Sequence, residues 1–146
     1  MKNKERKYWI IVASHDHVKN GIYEGVAQAC HGKLAPLKRM RKDDIVIFYS
    51  GKKTFGLPEK CQKFTAIGKV SDEEIYQYRM TPDFCPSRRK IDFLESKELS
   101  IIPFIDNLEF IKNKKYWGYP FRFGFFEINQ HDFDIISEPM LEKTYG

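Results

Sequence analysis

Apolar residues along this chain fall into short runs, separated by charged and glycine-rich stretches, and the runs differ in kind. YWIIVAS (8–14) and the IVIFYS of DDIVIFYS (43–50) are almost unbroken and rich in β-branched and aromatic side chains. A half-buried strand leaves every second position polar. These do not, so both are predicted to be strands buried on two faces. KFTAIGKV (63–70) reads as a third strand, with Gly68 as a bulge. KIDFLES (90–96) alternates and reads as a fourth, and FGFFEI (123–128) as a fifth. EIYQYRM (74–80) extends or follows the third strand, and 100–111 mixes a short strand with a helical turn after Pro103.

Helix signals are fewer. Ser14 is placed as the N-cap of a helix over HDHVKN that Gly21 stops. Pro36 starts a turn through LKRM, whereas 24–35 is small-residue chain without a clear period. Asn129 caps a last helix with Asp132 at its third position; Phe133, Ile136 and Met140 share a face, and Pro139 is expected to end or kink it. GKKTFGLPEK (51–60) and TPDFCPSRR (81–89) read as loops, and residues 1–6 as a frayed end. The inventory predicts one α+β domain over 1–146, a small mixed β-barrel of five to six strands flanked by short helices.

Composition changes this picture in one respect. Hydrophobic content of 42% and charged content of 31% are ordinary, but aromatics reach 15%. They crowd into KYWGYPFRFGFF (115–126), with seven rings in twelve positions. Neither helix nor strand periodicity needs that density, so the segment is either dense core or the wall of a pocket for a flat ligand. On strand geometry Phe123 and Phe125 read as core, as does Trp9, whereas Trp117, at a turn beside Gly118, reads as a cleft residue. The net charge of +5 and pI near 9.0 raise the expectation of a polyanionic partner, against the plain alternative of a solvated basic surface. Cys30, Cys61 and Cys85 form neither a disulfide framework nor a zinc pattern, and the simplest compartment is a reducing cytosol. No apolar run has the length of a membrane span or a signal-peptide core.

His15, Asp16 and His17 point apart on a helix and cannot share an ion, so no metal and no cofactor is expected. Cys30 and His31 are adjacent in sequence, but a nucleophile and its base need spatial alignment. No phosphate-binding glycine motif and no acid–base carboxylate pair occurs. The strongest signal is cations interleaved with rings. Lys33, Lys38, Arg39, Arg41 and Lys42 cluster, as do Arg88, Arg89 and Lys90, and Lys112, Lys114 and Lys115 run directly into Tyr116 and Trp117. Phosphate-binding charge beside a stacking surface is what single-stranded or flipped-base binding needs.

YWIIVAS, AQACHGKLAPLKRMRKDD, IVIFYS and FIKNKKYWGYPFRFGFFEI, in that order, resemble the EVE domain, a PUA-like family related to the YTH readers of methylated adenine. The resemblance covers about 7–142 and is weakest over 72–100. It implies a six-stranded mixed barrel with a pocket at one end for a nucleobase, often a modified one, in DNA or RNA, and no catalytic machinery. Carried over by position, it implies base contacts from Ser14 and His15, a wall at Gln28–Lys33 including His31, Tyr49 and Ser50 at the mouth, and closure by Trp117, Tyr119 and Arg122. Lys33, Lys52, Lys53 and Lys115 are the expected phosphate contacts. Many relatives carry a stacking aromatic where this chain has Ala27 and Gln28, and the Gln28 amide can instead read a base edge. The implied partners are nucleic acid and a nuclease or modification enzyme acting downstream. The alternatives are a small nucleotide- or nucleic-acid-modifying enzyme using Cys30 and His31, and a domain that binds a small anion or metabolite.

Overall fold

A computed structural model describes residues 6–142. Its strands are β1 (Tyr8–Val12), β2 (Val26–Ala27), β3 (Ile45–Lys52), β4 (Lys60–Val70), β5 (Tyr76–Gln77), β6 (Ser87–Phe93), β7 (Leu99–Ser100) and β8 (Phe125–Ile128). The helices are α1 (His15–Glu24), α2 (Leu34–Arg39) and α3 (Gln130–Leu141), with 3-10 turns at Ile102–Phe104 and Tyr119–Phe123. Six strands form one curled sheet in the order β2-β6-β4-β3-β1-β8, a half-barrel to which β5 and β7 are appended. β1 runs parallel to β3, with Tyr8 opposite Ile45 and Val12 opposite Tyr49, and the other pairs are antiparallel.

The two unbroken apolar runs are the adjacent central strands, and both of their faces are covered, as predicted. Trp9, Ile11, Val46 and Phe48 join residues of all six strands on the inner face of the curl, together with Val18 of α1 and Leu37 of α2. Ile10, Ile45, Ile47 and Tyr49 point the other way, onto Phe64, Phe121, Leu108 and the Ile136 and Met140 of α3. Two facing stripes in each strand explain why no polar residue alternates with them.

Several boundaries differ from the sequence expectation. α1 continues past Gly21 to Glu24 and is capped by Gly25 at φ 71°. Gly21 serves packing instead, because a Cβ there would lie 2.8 Å from the Val26 carbonyl. Ser14 takes the extended N-cap backbone, but its hydroxyl donates to Asp16 rather than accepting from the helix. Gly68 is no bulge; the β3–β4 irregularities lie at Phe48/Tyr49 and Ser50/Lys52. A Cβ at Gly68 would sit 2.4 Å from Ile91 Cγ2, so glycine is required by the close approach of β6. β6 starts inside the expected proline loop, because the Ser87 amide donates to Gly32 (2.9 Å) and Arg88 faces Tyr76 of β5. β8 starts at Phe125, after Gly124 ends a 3-10 turn at φ 75°. The Asn129 cap is present, accepting from the Asp132 amide at 2.9 Å, and α3 runs two residues past Pro139. Of the expected frayed end, residues 1–5 lie outside the described residues and Arg6 is exposed. Among the described residues no helix is long and apolar enough to cross a membrane.

Candidate functional site

Four loops converge where β1 ends. The Val12 amide donates to Gly124 (2.9 Å) and the Ala13 amide to Tyr49 (3.0 Å), so the strand end is gripped from both sides before α1 begins. The first turn of α1 then receives the 53–59 loop: the Asp16 amide donates to the Lys53 carbonyl (3.0 Å), and Asp16 Oδ1 accepts from the Phe55 amide (3.2 Å). Burial works to raise the Asp16 pKa, but hydrogen bonds from Ser14 and the His17 and Phe55 amides outweigh it and hold the carboxyl below its ordinary value. This docking lays the Phe55 ring on His17 (5.0 Å, 20° between planes), with the edge of His31 at 6.2 Å. Phe55 nevertheless stays 57% exposed.

The third loop is strained. Cys30, His31 and Gly32 all have left-handed backbone, φ 49°, 62° and 81°. Two consecutive non-glycine residues in that region cost about 1–2 kcal/mol each. The strain is held by Ala29, whose carbonyl accepts from the Gly32 and Lys33 amides, and by the contact of Gly32 with Pro86. The turn also closes the curl. Cys30 follows the edge strand β2, and its thiol donates to the Phe123 carbonyl (3.6 Å) just before the opposite edge strand β8. A Cβ at Gly124 would lie 3.0 Å from that sulfur.

The sequence-predicted residues separate into groups. At this loop junction, which forms the candidate cleft, Ser14 donates to Asp16, His31 edges Phe55, and the backbones of Lys33 and Lys53 bond Ala29 and Asp16; the Lys53 side chain pairs with Glu59 at 2.8 Å, and Lys52 is exposed, its Nζ donating to the Pro58 carbonyl at 3.4 Å. His15 is turned to Glu98, with Nε2 2.6 Å from the carboxylate. Gln28 is turned to Arg88: with its amide oriented to satisfy both polar atoms, the oxygen accepts from Arg88 Nε (2.9 Å) and Nη2 (3.1 Å). Tyr49 and Ser50 are not at a mouth. Tyr49 is buried and stacked on Phe121 (3.8 Å), burial pushes its phenol pKa up, and Ser50 is fully buried against Thr65 (2.8 Å). β3 continues past both to Lys52, so the strand end is further on than the sequence run implied. Trp117 is half-buried against the outer core cluster that holds Tyr49 and Phe121, and it is not among the residues that line the cavity formed by Tyr116, Tyr119 and Phe123.

Two of the expected surface cations are interior. Arg88 is buried, pairs with Glu24 (2.7 Å) and lies 4.3 Å over the Tyr78 ring. Arg89 is 1% exposed and donates to the carbonyls of Leu37, Met40 and Asp72. Desolvation lowers its pKa from the ordinary arginine value.

The aromatic segment divides by position. Phe121 and Phe125 are core, but Phe123, expected in the core, is 60% exposed because it belongs to the 3-10 turn and not to β8. With Tyr116, Tyr119, Pro120, Phe110, Phe126, Lys112 and Asn113 it lines a cavity of about 580 Å³. Arg122 is exposed, 6.0 Å from the Tyr119 ring, and Lys115 Nζ lies 5.5 Å from that of Tyr116. A larger hollow of about 730 Å³ lies along α3, but Glu138 and Glu142 line it, the wrong sign for a polyanion. Glu109, His131 and Asp132 offer ligand atoms within 4.8 Å of one another. The Asp132 carboxylate there already accepts the Glu109 and Phe110 amides at 2.8 and 2.9 Å. Sequence reasoning missed Phe55; the only signal was a lone ring, TFG, inside a lysine loop.

Comparison with known proteins places these features in context. Residues 7–139 match the EVE domain. The chain is 53% identical over 129 residues to the UPF0310 protein in the gntR 5′ region of Bacillus licheniformis, covering 88% of each. It is 41% identical over 133 residues to the UPF0310 protein YdcG of Bacillus subtilis strain 168, covering 91% of each. In fold it is similar to the YTH domain of Zygosaccharomyces rouxii MRB1 protein, solved in complex with N6-methyladenosine RNA. That match has a TM-score of 0.60 at 10% identity and covers 98% of this chain and 92% of that one. A hypothetical protein from Leishmania major superposes with a TM-score of 0.57 at 12% identity, over 92% and 94% of the two chains.

Proposed function

The chain belongs to the EVE domain family, and from that premise we propose that it is a non-catalytic nucleic-acid-binding module that takes a modified nucleobase, extruded from a single strand, into the cleft at the end of β1. The observation that carries this reading is the half-exposed Phe55 ring, fixed by Asp16 and flanked by His17 and His31, where lysines also gather. A ring of this kind stacks on any base and contributes about 1–3 kcal/mol, enough to offset much of the cost of unstacking it. Ser14 and the left-handed 30–32 turn supply polar groups within the same cleft, and Lys33, Lys52 and Lys53 supply charge for the flanking phosphates.

Binding without turnover fits the surroundings of Cys30. Its thiol donates to the Phe123 carbonyl, whereas an activated nucleophile would bond a base. Binding alone leaves the strand unchanged, which makes a nuclease or modification enzyme the partner class. The similarity of fold to a YTH domain solved with N6-methyladenosine RNA supports the same reading.

Fluorescence anisotropy with single-stranded DNA and RNA tests it, comparing plain strands with strands carrying N6-methyladenine, 5-methylcytosine or 5-hydroxymethylcytosine. One modified strand is expected to bind more tightly than its plain counterpart, and Phe55→Ala to lose about tenfold or more on that strand while remaining folded. Equal affinity for every strand, falling steeply with salt, would reduce the function to surface charge.

A further inference from the structure

The cavity beside the 3-10 turn 119–123 is not part of the cleft, yet Phe123 joins the two. Its carbonyl accepts the Cys30 thiol at the cleft wall, while its ring lines the cavity. We propose that this cavity is a second stacking subsite, holding the base next to the one in the cleft; the proposal rests on the nucleic-acid reading above.

Three observations identify the occupant as single-stranded nucleic acid. First, the rings are exposed rather than packed away: Tyr116, Tyr119 and Phe123 are 61%, 57% and 60% accessible. Tyr119 and Phe123 stand edge to face (5.5 Å, 87°), so one flat face remains open to a ligand. Second, the rim is cationic. Lys112, Lys115 and Arg122 are exposed, and no acidic residue occurs anywhere between Phe110 and Phe126. Lys114 is excluded, since its Nζ is committed to the Ile105 and Leu108 carbonyls. An apolar peptide would need no such charge, whereas a phosphodiester beside a stacked base needs it. Third, the platform is preorganised. Asn113 Oδ1 accepts the Lys115 and Tyr116 amides, fixing the turn that presents Tyr116, and Gly124 ends the turn that presents Phe123.

The test compares wild type, Tyr119→Ala, Tyr119→Phe and Phe55→Ala. Each is titrated with N6-methyladenosine monophosphate and 5-methylcytidine monophosphate, and with single strands of about eight nucleotides carrying the same bases. The subsite predicts that Tyr119→Ala loses about tenfold on the strands and nothing on the mononucleotides, with Tyr119→Phe restoring affinity because only the ring is needed. Unchanged strand affinity in Tyr119→Ala, with Phe55→Ala impaired, overturns the subsite and leaves the cleft reading intact. Impairment in Tyr119→Ala alone keeps the subsite and removes the cleft. Photocrosslinking of wild type to a strand bearing 5-iodouracil beside the modified base gives a readout that needs no variant. Adducts on Tyr116, Tyr119 or Phe123 support the proposal, and adducts confined to other segments overturn it.

Discussion

At the scale of single residues, identical side chains have opposite tasks here. Arg89 lies in a basic run, SRRK, and Arg122 between two phenylalanines, yet it is Arg89 that is sealed inside and binds three carbonyls, two of them at the end of α2, where a cation also meets the negative end of the helix dipole. Removing it leaves buried acceptors without donors. Arg89→Leu is expected to destabilise the fold by about 3 kcal/mol or more, read as a lower urea midpoint at unchanged slope. Arg122→Ala should shift stability by less than about 0.5 kcal/mol while weakening binding to single strands. A surface role for Arg89 would give the reverse pattern. Nothing in SRRK distinguishes these fates, because the contacts that bury Arg89 come from segments far along the chain. The same holds for Phe123 and Phe125: two residues apart, they share a strand face on paper, and only the intervening left-handed Gly124 separates ring platform from core.

At the scale of elements, local chemistry was legible and closure was not. The start of α3 was readable as Asn129 with Asp132, and that cap is formed. What the sequence did not indicate is that Asp132 also anchors the chain at 109–110 and hydrogen-bonds His131 (2.9 Å), which raises the imidazole pKa above its ordinary value, with Glu109 adding to the effect. A raised native pKa means that protonation favours the folded state. This contribution is complete below the unfolded value of about 6.5 and is lost as pH rises through the higher native value. His131→Gln should therefore be less stable than wild type below about pH 6.5, and the difference should narrow as the pH rises above that value and the native imidazole loses its proton. A difference independent of pH would show that His131 acts through packing and not charge. β3 and β6 show the complementary failure: their ends are set by partner strands, so β3 overran Gly51 and β6 began inside a proline loop.

At the scale of the whole molecule, a net charge of +5 is concentrated where acids are missing, notably across 110–126. If Lys33, Lys52, Lys53 and Lys115 each neutralise one phosphate, the logarithm of single-strand affinity should fall against log salt with a slope of about −3. Replacing Lys33 and Lys115 by alanine together should roughly halve that slope without changing preference among bases. An unchanged slope would place the phosphates on another face.

The sequence by itself determined the α+β class, the two-sided burial of β1 and β3, the Asn129 cap and the family, because each depends on local periodicity or on ordered motifs. Only the tertiary structure decided which rings face solvent, that Tyr49 and Ser50 are interior, and that Phe55 meets His17 and His31. These depend on the curl of the sheet, which brings Cys30 against Phe123 across 93 residues of sequence. A period of two states that a strand has two faces; which face meets core, cleft or water is fixed by what the rest of the chain lays against it.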